Sequence, residues 1–170
     1  MQSLRTNSAE VERLYSEHGA VLLLFAISIS RDRGRAQDAV HQVFLRMLEH
    51  RKLDDIGDVK AYLFTSVRNA VLNDHKASQR NTALDEASAW FDPLHRDYTA
   101  ELNLRRALDS LPDDQRQVLV LHVWAELTFL QTAEVLGISS NTAASRYRYA
   151  LANLRESMCR KEDFCAKPSR

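Results

Sequence analysis

At 170 residues, the chain has room for one domain of moderate size or two small ones. Apolar residues make up 45% and charged residues 27%, the balance of a soluble globular protein, not a disordered or fibrous one. Lys and Arg number 23, as do Asp and Glu, and a formal net charge of zero argues against a histone-like, sequence-blind nucleic-acid binder.

Four glycines and three prolines, against abundant Ala, Leu, Arg and Glu, favour helices over sheets. The start (MQSLRTNSAEVERLY) lacks the basic-then-apolar layout of a secretory leader. One or two helices over Glu10–Ser30 turn Leu14, Val21, Leu22, Phe25 and Ile29 inward. The longest apolar run, Ala20–Ile29, is about half the roughly 20 residues needed to cross a bilayer. It reads as a buried helix, with no membrane insertion, and the protein is expected in the cytoplasm. Gly34 marks a turn after the charged stretch RDRGR. A further helix, Gln37–Glu49, buries Val40, Phe44, Met47 and Leu48 and leaves Asp38, His41, Gln42, Leu45 and Glu49 on the other side. Arg51–Asp58, with Gly57 and three aspartates, is a loop. The next helix runs from Val59 to about Lys76 and buries Ala61, Phe64, Val67, Val71 and Leu72.

Between Arg80 and Ala100 the periodicity fails. Four acids (Asp85, Glu86, Asp92, Asp97) face a single charged base, Arg96, inside that stretch, which reads as an acidic linker with Trp90 and Phe91 docked on a neighbouring surface. A second helical unit follows from Glu101 to about Cys159, broken at Leu111-Pro112, with Pro112 at or near the first position of the next helix. The expected architecture is all-α. Two small helical domains, an N-terminal bundle (residues 9–79) and a C-terminal helix-turn-helix unit (101–159), are joined by a flexible acidic linker (80–100) and followed by a tail (160–170).

The C-terminal unit carries the strongest chemical signal. Leu127, Leu130, Ala133 and Leu136 set an apolar stripe on a short helix, Gly137 follows at the C′ position that favours a left-handed backbone, and Ser139 or Ser140 can cap the next helix. On that next helix Ala143, Tyr147, Ala150, Leu151 and Leu154 share one face. Thr142, Ser145, Arg146 and Tyr149 occupy the opposite face, with Arg148 at its edge. Hydroxyls and guanidinium groups on a helix with one buried stripe suit contact with phosphates and base edges. Periodicity alone fits an ordinary helical hairpin equally well. Charge favours DNA: between Ser139 and Lys161 there are five basic residues (Arg146, Arg148, Arg155, Arg160, Lys161) and one acid, Glu156, a local charge of +4.

Chemistry of other kinds has little support. Cys159 and Cys165 read as ordinary thiols, because no further ligands complete a metal set. Asp74 and His75 point about 100° apart on a helix and cannot converge, and no Gly-rich phosphate loop, HExxH or nucleophile elbow is present. No catalytic residue, metal or cofactor is expected, and the chain does not read as an enzyme.

The motifs taken together resemble a known family. Asp38-Ala39-Val40-His41-Gln42-Val43-Phe44-Leu45-Arg46, then Ala61-Tyr62-Leu63-Phe64 with Arg68-Asn69, resemble the second conserved region of bacterial sigma factors. Ala107-Leu108 through Leu111-Pro112, Gln115-Arg116, Leu136-Gly137-Ile138-Ser139, Thr142 and Ser145-Arg146 resemble the fourth. Two regions and a short linker, covering about Glu10 to Leu154, are similar to the extracytoplasmic-function (ECF) group. The resemblance implies a factor that binds core RNA polymerase, directs it to promoter DNA and helps melt it, with an anti-sigma factor as a further partner. It implies a polymerase-binding set of Asp38, His41, Gln42 and Leu45. It implies contacts with a single-stranded minus-ten element from Lys60, Arg68, Asn69, Asn73 and Lys76. Contacts with the minus-thirty-five duplex fall to Ser139, Asn141, Thr142, Ser145, Arg146, Arg148 and Tyr149.

The chain departs from the family pattern at Ala144 and Tyr149, where basic residues are common, at His41 and Gln42, which replace a Gln and an acid, and at Asn73, which replaces an Asp. The competing reading is a helix-turn-helix regulator that does not bind core polymerase. It would share only the second half of these matches.

Overall fold

The computed structural model describes residues 2–49, 56–78 and 107–159. The linker with Trp90 and Phe91, most of the 51–58 loop, and the tail with Cys165 lie outside the described residues. Everything described is helix or the turns between helices.

α1 runs unbroken over Gln2–Ser30. Val11, Leu14, Leu22 and Phe25 are buried along one stripe, at the spacing of a helix with a single core face. Val21 and Ile29 are only half-buried at its edges. The hydroxyls of Ser28 and Ser30 donate to the carbonyls of Phe25 (2.6 Å) and Ala26 (3.0 Å), occupying acceptors in the last turns. Arg31 then takes a left-handed backbone, φ 54°.

Asp32 starts the next helix: its Oδ1 accepts from the Arg35 amide at 2.9 Å, an N-cap that satisfies an otherwise orphaned donor. α2 therefore spans Arg33–Glu49. The turn lies at Arg31-Asp32 and not at Gly34, which sits in the first turn of α2, because the aspartate cap outweighs the weak breaking effect of one glycine. Ala36, Ala39, Val40, Val43, Phe44 and Met47 are buried. Leu48 was expected among them but is 40% exposed, since it lies 100° past Met47 and rotates off the buried stripe.

α3, Val59–Ser78, is capped by Asp58, whose Oδ1 accepts from the Ala61 amide at 2.9 Å. It buries Ala61, Leu63, Phe64, Val67, Ala70 and Val71, with Leu72 half-buried. The Phe25 and Phe64 rings meet edge-to-face at 5.6 Å, locking α1 against α3.

In the C-terminal half, Pro112 is the N-cap of α4, Asp113–Leu119. The helix does not stop at Leu119 but widens into a π-helical turn, Val120–Trp124, in which the Ala125 amide donates to the Val120 carbonyl at 3.1 Å. Such i→i+5 turns have no composition signature. α5 follows over Phe129–Leu136 and α6 over Ser140–Cys159.

The two halves do not stand apart. α3 packs on α5, and α1 packs on α4 and the π-helical turn. Leu22, Phe25, Leu63, Phe64 and Val67 belong to the same apolar cluster as Val118, Leu121, Leu127 and Leu136. A smaller cluster of Leu111, Leu119 and Ala150 joins α4 to α6. Each large side chain buried in this seam contributes about 1.5–3 kcal/mol, so the shared core, more than any polar contact, holds the closed arrangement.

Candidate nucleic-acid interface

The helix-turn-helix is built from local rules. Thr128 Oγ1 accepts from the Gln131 amide at 3.2 Å, while Gln131 Oε1 accepts from the Thr128 amide at 2.9 Å, a complete capping box. That cap starts α5 at Phe129, two residues after Leu127. Leu127 is still buried, below the helix, but Leu130 is 63% exposed instead of joining the stripe. With the start fixed at Phe129, the buried side of α5 is Thr132, Ala133, Val135 and Leu136, and Leu130 faces out with Glu134.

Gly137 closes α5 with φ 67°, its amide donating to the Glu134 carbonyl at 3.3 Å. Of the two candidate caps for α6, Ser139 is the one that works: its Oγ accepts from the Thr142 amide at 3.0 Å and pairs with Thr142 Oγ1 at 2.8 Å.

α6 buries Ala143 and Ala150 completely and half-buries Tyr147 and Leu154. Leu151 was expected on that face but is 43% exposed, at the edge of the stripe. Tyr147 meets the rings of His122 (4.8 Å) and Phe129 (5.6 Å), and His122 stacks on Phe129 at 4.2 Å. The His122 Nδ1 lies 2.7 Å from the Leu127 carbonyl oxygen. This aromatic group pins α6 to the π-helical turn and fixes which side of α6 faces out.

The outward side carries the expected residues. Ser139, Asn141, Arg148 and Tyr149 are exposed, whereas Thr142, Ser145 and Arg146 are half-buried. Ser145 Oγ accepts from Arg148 Nη2 at 3.3 Å. Arg146 is not a bare cation: its Nε lies 3.2 Å from Asp114 Oδ2 on α4. Sequence reasoning missed Asp114. The available signal is an acidic pair directly after Pro112, a pattern that ordinary helix-dipole complementation produces as well.

Neighbouring charges tie the C-terminal half together and to α1. Asp113 Oδ1 accepts from the Arg116 guanidinium and, across the seam, from Arg31 Nη2 at 2.6 Å. Arg116 is 1% exposed and also donates to the Leu111 carbonyl at 3.2 Å. Burial pushes its guanidinium pKa down from the ordinary value, the nearby Arg31 charge adding to this and Asp113 opposing it. Gln131, already part of the capping box, uses its Nε2 to donate to Asp58 Oδ2 at 2.7 Å. The N-terminus of α5 is thus bonded to the N-terminus of α3. The Ala61 amide and then Gln131 hold the Asp58 carboxyl below the usual carboxylate range.

On α3, Lys60 and Arg68 are half-buried, Asn69 and Asn73 are exposed, and the Lys76 side chain lies outside the described residues. On α2, Asp38, His41, Gln42 and Leu45 are all exposed, Leu45 at 59%. Among the described residues no group of three His, Cys, Asp or Glu side chains could hold a metal ion, and no helix is long and apolar enough to cross a membrane.

The family Sigma-70 region 2 matches residues 14–81, and Sigma-70, region 4 matches residues 101–154. The ECF RNA polymerase sigma factor SigL of Mycobacterium tuberculosis is 30% identical over 158 residues, 87% of this chain and 88% of SigL. The chain belongs to the ECF sigma factors. EcfG of Rhodopseudomonas palustris, another ECF sigma factor, is 32% identical over 139 residues, 78% of this chain and 76% of its own length. Among solved structures, the sigma factor RpoE in complex with the anti-sigma factor NepR from Bartonella quintana aligns with a TM-score of 0.69 and 26% identity. It covers 89% of this chain and 99% of that one. CnrH, solved with the cytosolic domain of CnrY, aligns with a TM-score of 0.64 over 95% of each chain; at 22% identity it supports the fold alone.

Proposed function

We infer that this ECF sigma factor binds core RNA polymerase and directs it to promoters, acting by recognition and not by catalysis. One observation carries the reading. A single chain joins a region-2 half, with the exposed α2 face of Asp38, His41, Gln42 and Leu45, to a region-4 half, with the polar side of α6 turned outward. Residues 9–79 would supply the polymerase contact and the minus-ten contacts of Lys60, Arg68, Asn69, Asn73 and Lys76. Residues 101–159 would read the minus-thirty-five duplex by laying α6 in the major groove. A regulator independent of core polymerase would carry a dimerisation or effector domain in the first half, where this chain matches Sigma-70 region 2.

The closed arrangement cannot read both elements together. Their names place them about 25 base pairs apart, roughly 85 Å of duplex at about 3.4 Å per pair. Here α3 and α5 touch, through Asp58 and Gln131 at 2.7 Å. The halves therefore part on the promoter: a 21-residue stretch, 80–100, spans at most about 70 Å, and the reach of α3 and α6, 20 residues or about 30 Å each, makes up the rest. An anti-sigma factor, as accompanies RpoE in its solved complex, would act by holding the halves away from polymerase.

Run-off transcription with purified core enzyme on a randomised promoter pool tests the assignment. Factor-dependent transcripts from a shared promoter sequence are expected. Binding to duplex DNA without any core-dependent transcription would favour the plain regulator.

A further inference from the structure

We propose that Asp114 is a specificity-determining positioning residue, which aims the Arg146 guanidinium at the base it reads; this rests on the reading that Arg146 contacts the minus-thirty-five duplex. The geometry suits the role. A guanidinium offers five N–H donors in a fixed plane, and guanine O6 and N7 are best met by two of them at once. Asp114 Oδ2 pairs with the Nε side of the Arg146 guanidinium, 3.2 Å away, and the terminal Nη1 and Nη2 are not part of that ion pair.

The carboxylate is itself fixed. Its other oxygen accepts from the Gln115 amide at 3.0 Å. The α4 helix that carries it is held to α6 by Asn153 Nδ2 donating to Gln115 Oε1 at 2.8 Å, and by the Leu111, Leu119 and Ala150 cluster. Arg146 and Asn153 are seven residues apart, two turns along one face of α6, so α4 grips the recognition helix at two points. Arg146 is 32% exposed at its side chain and Asp114 47%: the pair is reachable by DNA but not loose.

Position matters here because the face has few other cations. Ala144 is small and Tyr149 is neutral, which leaves Arg146 and the exposed Arg148 as the cations here, and of the two Arg146 is the one paired to a carboxylate. A free arginine samples many rotamers and can reach phosphate as well as a base edge, and phosphate contacts carry no sequence information. An arginine held at Nε has given up that freedom before DNA arrives, which favours the base edge.

The alternative is that Asp114 only neutralises Arg146. The two differ in sign. Deleting a carboxylate near phosphates should strengthen binding to every sequence alike, whereas deleting a positioning group should erase preference at one base position.

The test uses the full chain bound to core polymerase and promoter duplexes randomised across the minus-thirty-five element, at two salt concentrations, with thermal melts of each variant. Arg146→Ala first locates the base position it governs. Asp114→Ala is expected to flatten preference at that same position by roughly five- to tenfold, with off-preference duplexes bound as well as before or better. Asp114→Asn, which keeps a polar oxygen beside the guanidinium but loses the charge, should fall between Asp114→Ala and the parent. The double variant should lose no more preference than Arg146→Ala alone. An unchanged base profile in Asp114→Ala overturns the positioning role while leaving the Arg146 contact standing. Uniform weakening with a lowered melting temperature in both Asp114 variants assigns Asp114 to the scaffold and overturns it too. If Arg146→Ala itself changes neither profile nor salt slope, the underlying contact is wrong and the proposal falls with it.

Discussion

Arg31 Nη2 reaches Asp113 Oδ1 at 2.6 Å across the seam between the halves, from a backbone in the left-handed region at φ 54°. Both side chains are more than half exposed, 53% and 55%, so the pair contributes only about 0.2–1 kcal/mol. The left-handed backbone costs a non-glycine residue about 1–2 kcal/mol. Arg31→Gly relieves that strain and loses the bridge, whereas Arg31→Ala loses the bridge and keeps the strain. Thermal melts should rank Gly above Ala by about 1 kcal/mol. Energy transfer between labels on the two halves should report a closed-to-open ratio lowered by no more than about fivefold in either, because the apolar seam remains. Ala melting above Gly, or wholesale opening, would contradict this balance.

The Asp58–Gln131 contact carries a pH dependence. The folded protein holds the Asp58 carboxyl below its ordinary value near 3.8, first through the Ala61 amide and then through Gln131. A lowered carboxylate pKa means stability that is present above the ordinary value and lost as pH falls through the lowered one. Closing of the halves, and the start of α3 with it, should therefore weaken below about pH 4. Asp58→Asn cannot titrate, so its closed fraction should change less than the parent's between pH 6 and pH 3. Equal acid response in the two proteins would show that other carboxylates govern the change.

Gly137 offers a cleaner stability test. Its φ is 67°, and a Cβ added there meets no atom within 4 Å. The cost of Gly137→Ala is thus backbone strain alone, about 1–2 kcal/mol, and Gly137→Asn should recover part of it because Asn tolerates this region better. Denaturant titration of the three proteins reads the order directly. A Gly137→Ala variant as stable as the parent would mean the turn rearranges.

These positions also show what the sequence could and could not reveal. Gly137 and the stripe through Ala143 and Ala150 follow local rules, so residue type and spacing were enough to find them, while the cap was narrowed to Ser139 or Ser140 and decided by the Thr142 amide. The outward set on α2 followed from periodicity in the same way. Leu130 misled because its spacing fits a helix beginning at Leu127; the capping box at Thr128 decided the start and turned Leu130 out. The π-helical turn has no residue signature. Arg146 with Asp114, Arg31 with Asp113 and Gln131 with Asp58 join residues 32, 82 and 73 positions apart, beyond any local pattern. The apolar seam was hidden for a related reason: each buried side chain was legible as core, but not whose core it shared.

Leu45 tests the polymerase-binding assignment. It is 59% exposed on α2, beside Asp38, His41 and Gln42 on the face turned away from Phe44 and Met47. Burying an exposed leucine at a partner surface contributes about 1.5–3 kcal/mol, so Leu45→Asp should weaken core-polymerase binding about tenfold or more. The folding cost is smaller. Asp is the poorer helix former by up to about 0.7 kcal/mol, and an acid near the end of α2 opposes the helix dipole by about 0.3–1 kcal/mol. Leu45→Gln avoids the second penalty and most of the first, so a loss of core affinity shared by Asp and Gln variants would come from the surface and not from the fold. Binding titrations of fluorescently labelled factor against core enzyme, with circular dichroism of each variant, separate the two effects. A folded Leu45→Asp protein that binds core polymerase as tightly as the parent would move the docking face off this side of α2.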